Sequence, residues 1–305
     1  MINKVSTYPS FKLAKKNKFK PEYLAALLFL LPNLVGFILF TLWPMIYSLV
    51  LSFLDWGLLN NKTFVGLNNY KELFFDETFW VCLKNTALYS FVKVPINLIL
   101  SLLLAIILNK GLKGTNIFRT VAFLPSVCSA VSIGILWKPL LESTQSGLVN
   151  HMLSFINIDP VPFLSSTQWS MISVIGVGLW KELGYFMIIY LAGLQGISKT
   201  YYEAANIDGA NSRQQFFNIT IPLIAPTTFF AFVTSLIGSF QIFDLTTVLT
   251  GGGPVNSTNT LVMYIYQNAF QWFRMGYASA LALILFLVIF AVTMIQNKIS
   301  DNSSK

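Results

Sequence analysis

The apolar residues of this chain gather in long blocks separated by short polar stretches. Six blocks, at about 24–51, 87–108, 118–137, 170–194, 224–247 and 277–297, reach the roughly 20 residues a helix needs to cross the hydrocarbon core of a bilayer. They predict an all-α membrane protein with six transmembrane helices, since a helix satisfies its own backbone polar groups where no water is available. The first block follows Lys15, Lys16, Lys18 and Lys20 and begins like a signal peptide, but its apolar run continues through Pro32 to Val50 with no small-residue cleavage site. It is expected to be retained. No internal repeat and no separate soluble domain is visible, so the expected organisation is a basic tail (1–23), a membrane domain (24–297) and a short second tail (298–305).

Composition strengthens this pattern. The chain is 55% hydrophobic, 10% charged and holds 27 Phe, more apolar surface than one soluble core can use or hide. A net charge of +8 raises the question of nucleic acid, but the basic residues crowd the N-terminal tail and short loops instead of alternating with exposed aromatics. The expected surroundings are membrane lipid, with no nucleic-acid partner. Lys4, Lys12, Lys15, Lys16, Lys18, Lys20, Lys110, Lys113, Arg119, Lys199, Arg213, Lys298 and Lys305 fall on one side of a six-span topology, against Lys62, Lys71, Lys84, Lys138 and Arg274 on the other. The positive-inside rule then puts both termini and the segment 198–222 in the cytoplasm.

On the external side, "LFFDETFW" (73–80) reads as an interfacial helix, and the Gly- and Pro-rich "LTGGGPVNST" (249–258) reads as tight turns. Cys82 and Cys128 lack metal spacing and lie on either side of a predicted span, so neither a disulfide nor a metal site is expected from them. His151, the sole histidine, lies in an external loop and supports neither a metal centre nor a catalytic triad.

The least lipid-like part of the membrane domain is "EAANIDGANSRQQFFNITIP" (203–222). Thr200 followed three residues later by Glu203 is a capping-box spacing, which predicts a helix start there. That helix is expected to run through Ala204 and Ala205 to Asp208 and to stop at Gly209, which can take the left-handed conformation. Ser212 is expected to cap a second helix, and Pro222 and Pro226 to mark the start of the fifth span. Two short helices joined at a glycine suit docking; a helix merely capped by Glu203 and favoured by alanine suits the same residues.

This segment resembles the motif of ABC-importer permease subunits: Glu-Ala-Ala, three residues, Gly, nine residues, Ile, one residue, Leu-Pro. Here it is Glu203-Ala204-Ala205, Gly209, Ile219 and Ile221-Pro222, with Ile221 standing for Leu. "FVGLNNY" (64–70), "FRTVAFLP" (118–125) and "LTGGGP" (249–254) narrow the resemblance to the carbohydrate-uptake branch, in the compact multiple-sugar and glycerol-3-phosphate permease type. The resemblance implies a prokaryotic cell membrane and the type I importer fold, with 198–222 as a coupling helix inserted into a cytoplasmic ATPase. The implied partners are a second homologous permease in a heterodimer, two ABC ATPase subunits, an external solute-binding protein and a small-molecule sugar.

No Gly-x-x-x-x-Gly-Lys-Ser/Thr loop occurs, so no cofactor is expected on this chain and no catalytic residue is assigned. ATP and Mg are expected on the partner ATPases. Polar side chains inside spans are the candidates for the solute path, because lipid-facing polar groups are costly. Span five offers Ser235, Ser239 and Gln241, with Asp244 further out. The resemblance to a maltose-type subunit carries sugar contacts to Ser235, Ser239, Ile242 and Tyr185, though Ser239 replaces an amide and Ile242 cannot hydrogen bond. Lys181 and Glu182 each cost about 2.5–3.5 kcal/mol at a bilayer centre unless paired or hydrated. Either they border the path beside Trp180 and Tyr185, or they pair with a partner permease or lie at the outer rim; Lys93 beside Pro95 is a further intramembrane cation. The competing functions are a gradient-driven secondary transporter, for which no paired hydropathy repeats appear, and an ABC permease for a non-sugar solute.

Overall fold

Long apolar blocks become long helices in the computed structural model, which describes residues 21–57, 62–111 and 113–303. The basic tail up to Lys20, and Lys305, lie outside the described residues. Five helical stretches have the length and composition to cross a membrane: Ala26–Leu51, Glu77–Asn109, Trp169–Gln195, Ser212–Phe240 and Met275–Lys298. The remaining predicted span is split. Helices α5 (Thr115–Val127) and α6 (Ala130–Leu140) meet at 99° across Cys128 and Ser129, and the number of spans reaches the expected six only when this bent pair is counted as one. At 13 and 11 residues, each half is about 20 Å or less, too short to traverse a core of about 30 Å. Pro125 sits where α5 ends, and a proline cannot donate to the carbonyl one turn earlier. The sequence reading of one continuous helix over 118–137 missed this break.

The chain divides into two compact units, one ending at Val50 and one beginning at Leu51. In the first, α1 (Pro21–Phe37) and α2 (Trp43–Leu51) are joined by a π-helical turn over Ile38–Leu42. Phe29, Phe40 and Trp43 are among its exposed side chains, as a lipid-facing helix requires.

The second unit starts with a two-stranded antiparallel ribbon, β1 (Leu54–Asp55) against β2 (Thr63–Phe64), followed by α3 (Asn68–Phe75). Asp76 then caps α4 (Glu77–Asn109), accepting from the Thr78 amide, so the second span begins about ten residues before the apolar block suggests. Next come α5, α6, a short helix α7 (Leu148–Ser154) and α8 (Trp169–Gln195). Helices α4 and α8 run in the same direction, with Tyr89 beside Gly178 and Lys93 beside Glu182. α5 crosses α8 at Gly184, where an added Cβ would lie 1.9 Å from the Ala122 carbonyl oxygen, so the approach is possible only for glycine.

Two short helices, α9 (Lys199–Ile207) and α10 (Ser212–Gln215), lead through a π turn over Phe216–Thr220 into α11 (Ile221–Phe240). α11 ends seven residues before the predicted end of span five. Gln241–Phe243 form a break, and α12 (Asp244–Leu249) follows as a separate helix. Backbone freed in this way must find partners, and Thr260 donates to the Ile242 carbonyl while Thr246 and Thr247 donate to that of Phe243. The turn after α12 uses left-handed backbone at Gly251 and Gly252, the tight turn its Gly and Pro content predicts, and it is packed against the bundle. Thr258, Asn259 and Thr260 are buried, and Asn85 of α4 donates to the carbonyls of Asn256 and Asn259 at 2.7 and 2.9 Å. Helix α13 (Leu261–Tyr266) and a π turn over Gln267–Gln271 lead to α14 (Met275–Ser303), which extends the last span through most of the expected second tail.

Apolar packing is spread over three clusters. One joins α4, α8 and α11 through Leu98, Met187, Tyr190 and Ile224; a second joins α3, α4, α13 and α14 through Leu73, Phe79, Leu261 and Leu281; a third joins α6, α8 and α12 through Ile133, Val174 and Leu249.

Candidate functional site

Two regions collect the polar residues that the sequence singles out. The first is the elbow at α9–α10. Ser198, not Thr200, caps α9, its hydroxyl accepting from the Thr200 amide at 3.4 Å. Glu203 is exposed and does not close a capping box; the earlier serine takes the cap and leaves the Glu203 carboxylate pointing outward. At the other end Gly209 has φ +76°. The Ala210 amide donates to the Ala205 carbonyl at 2.8 Å and the Gly209 amide to that of Asn206 at 3.1 Å, the bond pair of a Schellman motif.

The cap of α10 is Asn211 and not Ser212, in a reciprocal capping box with Gln214 at 2.8 and 2.9 Å. Gln215 reaches back to the Asn206 side chain at 2.6 Å and to the Ala210 carbonyl at 3.0 Å, and Tyr202 meets Thr220 at 3.0 Å. The two helices are therefore braced into one elbow. None of α9 is buried, and Ile207 is 87% exposed beside Tyr201 and Ala204. Ala205 is half-buried, Asp208 is exposed after it, Ile219 lies in the π turn and Pro222 in the first turn of α11.

The second region lies inside the bundle. Helix α4 carries a polar stripe at three- and four-residue spacing, the small residues Thr86, Ser90, Asn97 and Ser101 with the long cation Lys93 among them, all buried. Lys93 pairs with Glu182 of α8 and donates to the Ser239 hydroxyl of α11 at 3.3 Å, while Ser101 donates to the Leu183 carbonyl at 3.0 Å. The pair settles part of the earlier alternative: Glu182 finds its counter-ion within this chain. A cavity of about 140 Å³ opens beside it, lined by Tyr89, Lys181, Glu182, Gln241, Ile242 and Asp244 among others.

The predicted solute-path residues therefore separate. Lys181, Glu182, Gln241 and Ile242 come together at this cavity. Ser235 and Ser239 are buried among α4 and α11, with Ser239 held by Lys93 and the Ser235 hydroxyl without a partner among the described residues. Trp180 packs edge-on against Trp137 at 5.3 Å and Tyr185 against Phe186 at 5.1 Å, both partly exposed away from the cavity. Sequence reasoning missed Tyr89 and underweighted Lys93. The signal was present as the polar stripe on α4, one face of an otherwise apolar helix.

A third polar group, at the start of α4, ties the ends of distant helices. Tyr264 and Tyr277 both donate to Asp76 Oδ2, at 2.5 and 2.6 Å, and Arg274 binds Glu72 at 2.5 Å while lying over the Tyr277 ring. Burial pushes the Asp76 carboxyl up, but the hydroxyls of Tyr264 and Tyr277 and the amides of Thr78 and Phe79 outweigh it and hold the group below the ordinary carboxylate range. Tyr264, buried and bonded to that carboxylate, is pushed up to about 12. The segment between the first two spans is thus a fastening and more than an interfacial anchor.

Comparison with known proteins agrees with this architecture. Residues 97–304 match the family model described as "Binding-protein-dependent transport system inner membrane component". The lactose transport system permease protein LacF of Rhizobium radiobacter is 38% identical over 275 residues, covering 88% of this chain and 91% of the relative. The arabinooligosaccharides transport system permease protein AraP of Bacillus subtilis is 34% identical over 289 residues, covering 94% and 92%. A chain of a bacterial ABC transporter involved in the import of the acidic polysaccharide alginate superposes with a TM-score of 0.82 at 29% identity, covering 93% of this chain and 96% of that one. With a family match over two thirds of its length and relatives aligned nearly end to end, the chain belongs to the inner-membrane permease subunits of binding-protein-dependent ABC transport systems.

Proposed function

We propose that this permease passes a sugar from an external binding protein into the cytoplasm, paired with a second homologous permease and driven by two cytoplasmic ATPase subunits that bind the ATP and Mg. The observation that carries the reading is the elbow: an exposed nine-residue helix, stopped by a left-handed glycine and braced to the next span by side-chain hydrogen bonds. In this reading Glu203, Ala204, Ala205, Asp208 and Gly209 form the surface presented to the ATPase, and Ile219 and Pro222 lead the motion into α11. Both termini and the elbow then face the cytoplasm, in keeping with the side on which the basic residues collect. Coupling requires that the two ATPase states hold the elbow in different positions, because equal binding would shift nothing.

Support for a sugar comes from relatives named for lactose and arabinooligosaccharides and from the polar cavity at Glu182 and Gln241. In this reading the buried Ser235 and Ser239 support the wall of the path, while Lys181, Glu182, Gln241 and Ile242 face the solute.

Gly209→Val tests the docking surface. A β-branched residue at φ +76° costs about 1–2 kcal/mol, enough to lower ATPase co-purification by about tenfold while the permease stays in the membrane. Full co-purification and full transport in that variant would remove the elbow from the mechanism. Uptake that stops without ATP and survives an uncoupler separates this pump from a gradient-driven carrier.

A further inference from the structure

The Lys93–Glu182 pair is lopsided. The Lys93 side chain is 1% exposed and the Glu182 side chain 31%, so one partner is sealed inside the bundle and the other looks into the cavity. Lys93 occupies one carboxylate oxygen, Oε2, and is itself held by Ser239 at 3.3 Å and by the Tyr89 ring at 5.7 Å. Among the described residues the other oxygen of Glu182 has no hydrogen-bond partner. A pair that served packing alone has no need to leave half a carboxylate facing open space.

Tyr89 adds the complementary group. Its side chain is buried, yet its hydroxyl reaches the cavity wall and makes no hydrogen bond among the described residues. It has room there because residue 178 is glycine: a Cβ on Gly178 would lie 2.4 Å from the hydroxyl oxygen. A fixed carboxylate oxygen that accepts and a phenol that donates or accepts, a few residues apart on parallel helices, match the adjacent hydroxyls of a sugar ring.

Charge narrows the class of ring. The cationic Lys93 and Lys181 are matched in number by the carboxylates Glu182 and Asp244, so the cavity holds no surplus of positive charge for a uronate. We infer that Tyr89 and Glu182, the latter oriented by Lys93, form a hydroxyl-reading subsite for an uncharged sugar. This rests on the sugar reading above and names its substrate class. Lys93 is a positioning residue, acting through Glu182.

The test is equilibrium dialysis of tritiated maltose, lactose and digalacturonate against the complete transporter, with both permeases and both ATPases in lipid nanodiscs. At least one neutral disaccharide is expected to bind at least about tenfold more tightly than digalacturonate, and Glu182→Gln is expected to weaken that binding by about tenfold or more, the worth of a hydrogen bond to a charged group. Tyr89→Phe should weaken it by a smaller factor, and Lys93→Arg should largely preserve it.

The double variant Lys93→Met with Glu182→Gln removes both charges without stranding either, so it keeps the complex assembled. Its binding should stay as weak as that of Glu182→Gln alone. Wild-type affinity in the double variant would make the pair a packing clamp and overturn the subsite. Digalacturonate binding as tightly as the neutral disaccharides would overturn the substrate class. If the wild-type transporter bound none of the three, the sugar reading itself would fall, and the subsite with it.

Discussion

The elbow and the α4–α8–α11 seam solve the problem of polar groups in opposite ways. At the elbow they are exposed or half-buried, Thr220 excepted, and bonded to neighbours two to 18 residues away, as in the Ser198 cap, the Asn211–Gln214 box and the Tyr202–Thr220 contact. In the seam most are buried, and the bonds they make reach across the chain: Lys93 meets Glu182 at a separation of 89 residues and Ser239 at 146. Local bonds make a stiff part that can stand in water and be gripped by another protein. Long-range bonds in a water-poor interior make a joint between helices, in which an unpaired member is expensive. The difference suits a lever at one end of the spans and a selective path between them.

The contrast is sharpest if the two halves of the buried pair are removed separately. Glu182→Ala strands the sealed Lys93 and is expected to cost about 3–5 kcal/mol of stability. Lys93→Met leaves Glu182 facing the cavity, where water can solvate it, and should cost distinctly less. Thermal unfolding of the purified permease in detergent checks the order; equal losses would mean that the cavity does not hydrate Glu182.

The fastening at Asp76 is a long-range network outside the spans, so it should respond to pH. Because the folded-state carboxyl of Asp76 lies below its ordinary value, its contribution is fully present above the unfolded value of about 4 and is lost as pH falls through the lower folded value. Melting temperatures of wild type and Asp76→Asn should therefore differ at neutral pH and converge in strong acid. A gap that widened with acid would reverse the sign of the argument.

The smallest expected effect belongs to the elbow. Asn211→Ala removes one cap from an exposed helix and should cost about 1 kcal/mol, with the seam untouched. Hydrogen exchange confined to α9 and α10 would show it, whereas loosening that spread into α8 would mean that the elbow and the bundle are not separable.

How much was legible follows from the range of each interaction. The elbow was nearly complete in the sequence: a first helix, its stop at Gly209 and a second helix start stand, with errors of one residue at the second cap and two at the first, but the fifth span begins at Ser212 and not at Pro222, because the helix runs on through a π turn. Those errors arose because Ser198, Thr200, Asn211 and Ser212 are all competent caps, and only the backbone angles choose among them. The path was legible only in part. Ser235 and Ser239 had the right chemistry and the right helix, but a period of 3.6 says which residues share a face and not which neighbour that face meets.

By itself the sequence determined the membrane class, the number and approximate place of the apolar stretches and the hinge between the fourth and fifth, because hydrocarbon length and local backbone geometry act within a single segment of chain. Tertiary structure alone decided that the third stretch bends, that Lys93 is Glu182's counter-ion, and that Tyr89 rather than Ser235 reaches the cavity. Each of those depends on which helices lie side by side. In a lipid interior, where every apolar face is equally content, close approach at residues such as Gly178 and Gly184 and the pairing of buried charge make that choice.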